Sequence, residues 1–390
     1  MSSPVAGPAA RVGKTFDPNA ERSSARDRVR LRPLRRVVGS GRSHRGREVP
    51  GVTVVHVLLM VGCAAAIYLA CDWFVNAIEW LGVELRLATV AIGTVLAAIG
   101  TALPESVVTL VAVLSGGGGE PGSGKEIGVG AALGGPLVLS TVAYAVVGVL
   151  LLRQRGRSAA VDRFADVDRS RLVLDQTAFL LVAGAGLLLG LVAFVGKQWL
   201  GLVFFAAYAV YVRRELGSEE PGHSSDGLEP LRLWRVRRPD WPPRWAIVVQ
   251  TVGALVVVVV ASQLFVGQLE WAGPRLGLAP AVVALLLSPI ATELPEIMNA
   301  VIWARQGKTR LALANISGSM MVQATVPAGI GLLFTPWHFE PVLVSASLAT
   351  LAAVLYLSTV VRAGRLRPGW LAGTATFYLA FAVALGVLLS

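Results

Sequence analysis

Two hexapeptides decide how this chain folds: Gly100-Thr101-Ala102-Leu103-Pro104-Glu105 and, 191 residues later, Ala291-Thr292-Glu293-Leu294-Pro295-Glu296. Each lies in the middle of a long apolar segment and places a carboxylate directly after a proline. A charged side chain at membrane depth is expensive, so one that is retained there marks function. A proline inside a helix lacks an N–H and releases the carbonyl four residues back. The carbonyls released are those of Gly100 and Ala291, each next to a hydroxyl residue, Thr101 or Thr292. Each hexapeptide therefore predicts a broken helix that offers a carboxylate, a hydroxyl and free carbonyl oxygens. Two such helices crossing in opposite directions would line a cavity with oxygens and two metal-facing acids, Glu105 and Glu296. Hard cations such as Ca²⁺ take that ligand set. A Pro-Glu pair can also end a helix at a membrane surface, but both copies here have about a dozen apolar residues on either side.

The hexapeptides belong to a longer repeat. Compared without gaps, residues 70–105 and 261–296 are identical at 15 of 36 positions. Glu79-Trp80 matches Glu270-Trp271, Phe74-Val75 matches Phe265-Val266, and Gly82 matches Gly273. Shared apolar composition would not place Glu-Trp and Pro-Glu at one offset, so the chain is an internal duplication.

Composition sets the medium. Hydrophobic residues make up 54% of the 390 residues and charged residues only 15%. Soluble domains average about 25% charged, and a basic nucleic-acid binder needs many charges on a solvated surface. The net charge of +11 therefore does not point to a nucleic-acid partner. Cys63 and Cys71 are eight residues apart, about 12 Å along a helix, beyond disulfide reach. Both read as small apolar helix residues. The four histidines show no zinc spacing.

Residues 1–50 carry twelve basic residues, four acids and no apolar run; they read as a basic disordered tail and not as a signal peptide. Ten apolar segments follow, roughly 52–78, 87–114, 127–152, 175–194, 198–213, 246–271, 279–304, 309–334, 340–361 and 371–389. Most are long enough to cross a ~30 Å hydrocarbon core as helices. The polar connection 214–244 separates a first five-helix repeat (51–213, signature region 87–152) from a second (245–390, signature region 279–334). Five is odd, so the second repeat enters the membrane from the opposite side, the inverted-repeat plan of secondary transporters. The expected fold is all-α, a polytopic membrane protein of ten spanning helices.

Loop charges orient it. With the N-terminus of the first helix outside, the inner loops, including the 214–244 linker, carry twenty basic residues and the outer loops only Lys125, Lys197 and Arg275. That is the positive-inside bias, and the location follows as a multi-pass protein of the bacterial inner membrane. The basic tail runs against it. Either the tail crosses regardless of charge, or the protein starts near Val49 to Val54.

Other polar residues join the two acids. Glu293 stands where the first repeat has Ala102. It reads as a third cation or proton group, or as a solvated cavity residue. Asn315, Ser319 and Gln323 follow i, i+4, i+8 spacing and line one helix face. Their oxygens could complete a cation shell, or they could bond between helices. Gly130, Gly134, Gly135, Ala314 and Gly318 permit close helix packing. Asp72, Glu79 and Glu270 read as interfacial.

With these residues in view, GTALPE (100–105) and ATELPE (291–296) resemble the repeat signature of the sodium/calcium exchanger superfamily, the Ca²⁺:cation antiporters. The second half of that signature, Gly-Asn-x-x-Gly-Ser-Asn, is matched loosely by residues 130–136 and better by Ala314-Asn315-Ile316-Ser317-Gly318-Ser319-Met320. The resemblance implies that Glu105 and Glu296 are the central cation ligands, with Thr101, Thr292 and Ser319 beside them. It also implies polar residues where this chain has Gly135 and Leu139 in the first repeat and Gln323 in the second. Their replacement weighs against a three-sodium-for-one-calcium cycle and toward proton coupling or a different cation.

The reading that follows is a secondary antiporter exchanging Ca²⁺ for Na⁺ or H⁺, not an enzyme, with no cofactor and with the lipid bilayer and inorganic cations as its partners. No obligate protein partner is inferred. A monovalent Na⁺(K⁺)/H⁺ antiporter on the same scaffold and a non-transporting membrane paralogue are the alternatives.

Overall fold

The computed structural model describes residues 50–84, 97–115, 122–154, 164, 167–217, 229–233, 242–305 and 307–390, apart from some side chains within helices. Readings made for the tail, for Arg86 and for the start of the 87–114 segment lie outside the described residues.

Every one of the ten expected apolar segments carries helix. They are α1 (Pro50–Glu84), α2 (Ala97–Ser115), α3 (Ser123–Val138) running through a π turn (Leu139–Ala143) into α4 (Tyr144–Arg153), α5 (Arg169–Leu191), α6 (Gly201–Gly217), α7 (Arg244–Leu276), α8 (Pro280–Thr292) bending into α9 (Leu294–Arg305), α10 (Thr309–Phe334), α11 (Pro341–Arg362), and α12 (Pro368–Ala372) leading into α13 (Ala375–Leu389). Among the described residues seven helical stretches are long and apolar enough to cross a membrane, eight if α8 and α9 count as one bent span. Large aliphatic side chains face outward, among them Leu58, Leu181 and Val383. On a soluble protein such faces would drive aggregation; against acyl chains they are the expected surface.

Some helices are longer than the apolar runs that announced them. α1 has 35 residues and α7 has 33, about 50 Å each at 1.5 Å per residue. α5 starts six residues earlier than its apolar run, because Asp168 accepts a hydrogen bond from the Arg171 N–H (3.1 Å) and caps the first turn. Arg169 and Arg171 are thus helical residues and not loop charges.

Helix neighbours come in matched sets. α1 packs on α7 and α5 on α11, each pair being equivalent helices of the two halves. The contacts α2–α10, α2–α7 and α4–α12 have their counterparts in α8–α3, α8–α1 and α10–α6. Along α1 and α7 the buried positions follow the duplication: Cys63, Ile67, Ala70 and Phe74 match Ala254, Val258, Ala261 and Phe265. Cys63 and Cys71 are buried free thiols, as expected from their spacing.

Small residues set the closest approach. A Cβ on Gly130 would run into the backbone of Ala281, and one on Gly134 would come within 2.7 Å of the Leu285 carbonyl and 2.8 Å of Pro289 Cγ. Four residues apart, these glycines let α3 lie directly on α8.

One part of the connecting stretch is not a free linker. Leu231 is buried against Ala77, Ala246 and Ile247. Asn76 Nδ2 donates to the Glu229 and Pro230 carbonyls (3.3 and 3.4 Å), its Oδ1 accepts from the Arg232 N–H (3.0 Å), and Gln250 accepts from the Leu233 N–H (2.7 Å). Residues 229–233 therefore strap α1 to α7. Arg232 also pairs with Asp72 at 3.1 Å.

Candidate cation site

The two hexapeptides do not fold alike. α2 passes through Pro104 as one helix, whereas α8 stops at Thr292 and resumes as α9 with a 44° bend. The expectation of a broken helix in both repeats is thus corrected for the first, within its described residues. One proline deletes one backbone bond, and a helix can tolerate that. The second repeat carries Pro289 as well, six residues before Pro295, where the first repeat has Ala98. Two losses within six residues leave too little ladder to hold the axis straight.

The bend brings three acids together. Glu105 is 1% exposed, and Glu293 and Glu296 are fully buried. Glu105 lies within electrostatic range of both others and within hydrogen-bonding reach of Glu293. Two ionised carboxylates are acceptors only, so Glu105 and Glu293 need a proton or a cation between them. Glu293 has other donors as well. Thr292 Oγ1 donates to its Oε1 (2.7 Å) and Gln323 Nε2 to its Oε2 (2.6 Å). By contrast, both carboxylate oxygens of Glu105 and of Glu296 lack a hydrogen-bonding partner, as do Ser319 Oγ and Gln323 Oε1. Buried acceptors left open in this number are rare in a finished core and are what a cation would satisfy.

Gly135 fixes where Glu105 goes. The Glu105 carboxyl lies against Gly135, in the space a side chain there would fill. The missing side chain at Gly135, which the sequence reads as the loss of a polar group, makes room for the Glu105 carboxyl. Leu139 is fully buried and supplies no polar atom, and the π turn starts at this residue.

The remaining expected residues divide. Thr292, Ser319 and Gln323 are buried at the site. Asn315 uses its amide nitrogen on the Glu296 carbonyl (3.4 Å), which ties α10 to α9. Ala291 is buried directly before the bend. The Thr101 side chain lies outside the described residues, and for Gly100 the structure gives helical backbone only. Glu79 is likewise outside. Asp72 and Glu270 are elsewhere, the first with Arg232 and the second accepting from Ser123 (3.2 Å).

Two hydroxyls were missed. Thr109, one turn after Glu105, and Ser288, one turn before Thr292, are both fully buried with unpartnered oxygens. Their i, i+4 spacing from named site residues was the available signal. Among the described residues no three acids, histidines or cysteines form a preformed metal centre. Glu293 is turned onto Thr292 and Gln323, so the acids share a region without converging on a point.

Comparison with known proteins agrees with this architecture. Residues 55–215 and 246–389 match the sodium/calcium exchanger protein family. The inner membrane protein YrbG of Escherichia coli is 26% identical over 303 residues, 76% of this chain and 85% of its own length. The putative antiporter CaxA of Alkalimonas amylolytica is 25% identical over 321 residues, covering 80% and 93%. The crystal structure of the H⁺/Ca²⁺ exchanger CAX shares the fold with a TM-score of 0.66 at 16% identity, covering 86% of each chain. Members of this family are exchangers and not enzymes. With a family match that spans most of its length, this multi-pass membrane chain belongs to the sodium/calcium exchanger protein family.

Proposed function

We propose that the chain is a secondary antiporter that moves Ca²⁺ against protons at a site formed by Glu105, Glu296 and Glu293. One observation carries this: glutamates from equivalent helices of the two halves meet in the interior with four carboxylate oxygens unpartnered. The proton is favoured over sodium as counter-ion by the Glu105–Glu293 pair, which calls for a shared proton when no cation is bound. Thr101, Thr292, Ser319 and the Gly100 and Ala291 carbonyls complete the shell, with Asn315 holding α9. The scaffold is ten spanning helices in two inverted repeats, 51–213 and 245–390. The segment 214–244 and the other arginine-rich loops are cytoplasmic, and the first helix starts outside. The matched helix neighbours and the loop charges support that arrangement. An ion gradient drives the cycle, and alternating access exposes the acids to each side in turn.

A monovalent cation/H⁺ antiporter is the second reading. It is favoured by Leu139, which supplies no polar atom in the first half, when Ca²⁺ takes about six to eight oxygens. Fluxes in proteoliposomes decide. Calcium uptake driven by a pH gradient, lost in both Glu105→Gln and Glu296→Gln, supports the first reading. Sodium or potassium exchange without calcium supports the second, and no cation flux in well-folded protein overturns both.

A further inference from the structure

A second buried acid lies on the other side of α10. Asp175 of α5 is 8% exposed and accepts a hydrogen bond from Ser317 Oγ (3.0 Å). Ser317 sits between Asn315 and Ser319 in sequence, but two residues turn a helix by about 200°, so it points away from the glutamate site. Around Asp175 stand Tyr144 of α4 (1% exposed) and Gln176 (3% exposed). The Tyr144 hydroxyl and both amide atoms of Gln176 are buried without a completed hydrogen bond, although Tyr144 lies within reach of both Gln176 and Ser317. Tyr211 of α6 is within hydrogen-bonding reach of Asp175, and Arg171 and Arg214 act on it electrostatically. From α11, Arg362 donates to Thr177, two residues along (2.9 Å). Leu172, Phe179, Ile316 and Met320 belong to the apolar core around the cluster.

From this arrangement we infer that Asp175, with Ser317, Tyr144, Tyr211 and Gln176, forms a second proton-binding site, separate from the cation site and joined to it through α10. A buried carboxyl that accepts from one hydroxyl, with a tyrosine hydroxyl and an amide left open beside it, has the groups with which to share a proton. The two arginines argue against a metal cation in the same place. Asp175 is six residues from the start of α5, about 9 Å from the helix end, and Arg171 lies one turn nearer that end, so a proton has a short path from the aqueous face. Ser317 shares α10 with Asn315, which holds the Glu296 carbonyl, so a change at Asp175 is felt on the helix that carries Ser319 and Gln323. The coupling to exchange, though not the proton site itself, rests on the antiporter reading.

Infrared difference spectra of the full-length protein in lipid, titrated with pH, test the site without requiring transport. The expected result is a protonated-carboxyl C=O band that is lost in Asp175→Asn and whose midpoint shifts in Ser317→Ala. The second variant removes one hydroxyl and no charge, and serves if the first does not fold. In vesicles, exchange by Asp175→Asn should lose its dependence on pH at the face where α5 begins, while Glu105→Gln loses exchange at every pH. A band unchanged in both variants overturns the proposal, and so does a band that follows sodium or potassium at constant pH. If the band behaves as expected in a protein that moves no cation, the exchanger reading fails alone. If exchange needs Glu105 but neither band nor pH profile responds to Asp175, the second site fails alone.

Discussion

The Glu105 carboxyl packs on the backbone of Gly135, close enough that a Cβ at 135 would overlap it. The missing side chain and the position of the acid are one feature. Gly135→Ser, which restores the hydroxyl of the family pattern, should therefore impair the protein. Overpacking of this kind costs about 1–3 kcal/mol. Carried by the cation-bound state, that is about a fivefold to 150-fold loss of affinity. Calcium binding by Gly135→Ser and Gly135→Ala, measured by titration calorimetry, checks it; wild-type affinity in both would show that Glu105 moves freely.

Gln323 donates to Glu293 at 2.6 Å. Gln323→Leu leaves a buried carboxylate short of a donor, at a cost of about 1–3 kcal/mol, and should lower thermal stability in detergent. Glu293→Gln keeps the contact, since its amide oxygen still accepts from Gln323, but removes a charge. It should weaken calcium binding less than Glu105→Gln does, while lowering the number of protons released per calcium bound, read with a pH-sensitive dye. An unchanged proton count would remove Glu293 from the coupling.

Two glycines of the repeat signatures give a contrast. Gly130 touches the backbone of Ala281, whereas Gly318 has open space around its missing side chain. Gly130→Ala should separate α3 from α8 and cost about 1–3 kcal/mol. Gly318→Ala should be neutral or stabilise slightly, since alanine is favoured over glycine in a helix by about 1 kcal/mol. Melting curves of both variants in one detergent test the pair.

Lys197 is 6% exposed, and its ammonium donates to the carbonyls of Leu189 (3.0 Å), Val192 (2.7 Å) and Trp337 (3.1 Å). It caps the C-terminal end of α5 and ties it to the chain before α11, so it is not the free loop charge its place in the sequence implies. Lys197→Met keeps the length of the side chain and leaves the carbonyls unpaired. It should cost about 2 kcal/mol or more while leaving the cation affinity of the folded protein unchanged. A melting temperature equal to wild type would contradict the role.

Much of the fold was legible because it rests on composition and spacing. An apolar run of about 20 residues has one stable form in lipid, since only a helix pairs all its backbone groups within itself. The acids of the site were legible because burying a charge is costly, so their presence mid-segment carries information. The differences between the halves were less so. Ala98 against Pro289 is a visible substitution, yet whether one proline or two breaks a helix depends on how many backbone bonds remain. Thr109 and Ser288 stood one turn from named residues but drew no notice, because a hydroxyl in an apolar helix usually bonds its own backbone.

By itself the sequence determined the duplication, the helical class, the ten apolar segments and the identity of Glu105, Glu293 and Glu296, all of which follow from local patterns and one offset. Only the tertiary structure decided which acids face each other, that Gly135 admits Glu105, that residues 229–233 hold α1 to α7, and that Asp175 meets Ser317. Most of those relations join residues far apart in the chain, and no local rule sets them. They come from the bend at Glu293 and from which helices pack face to face.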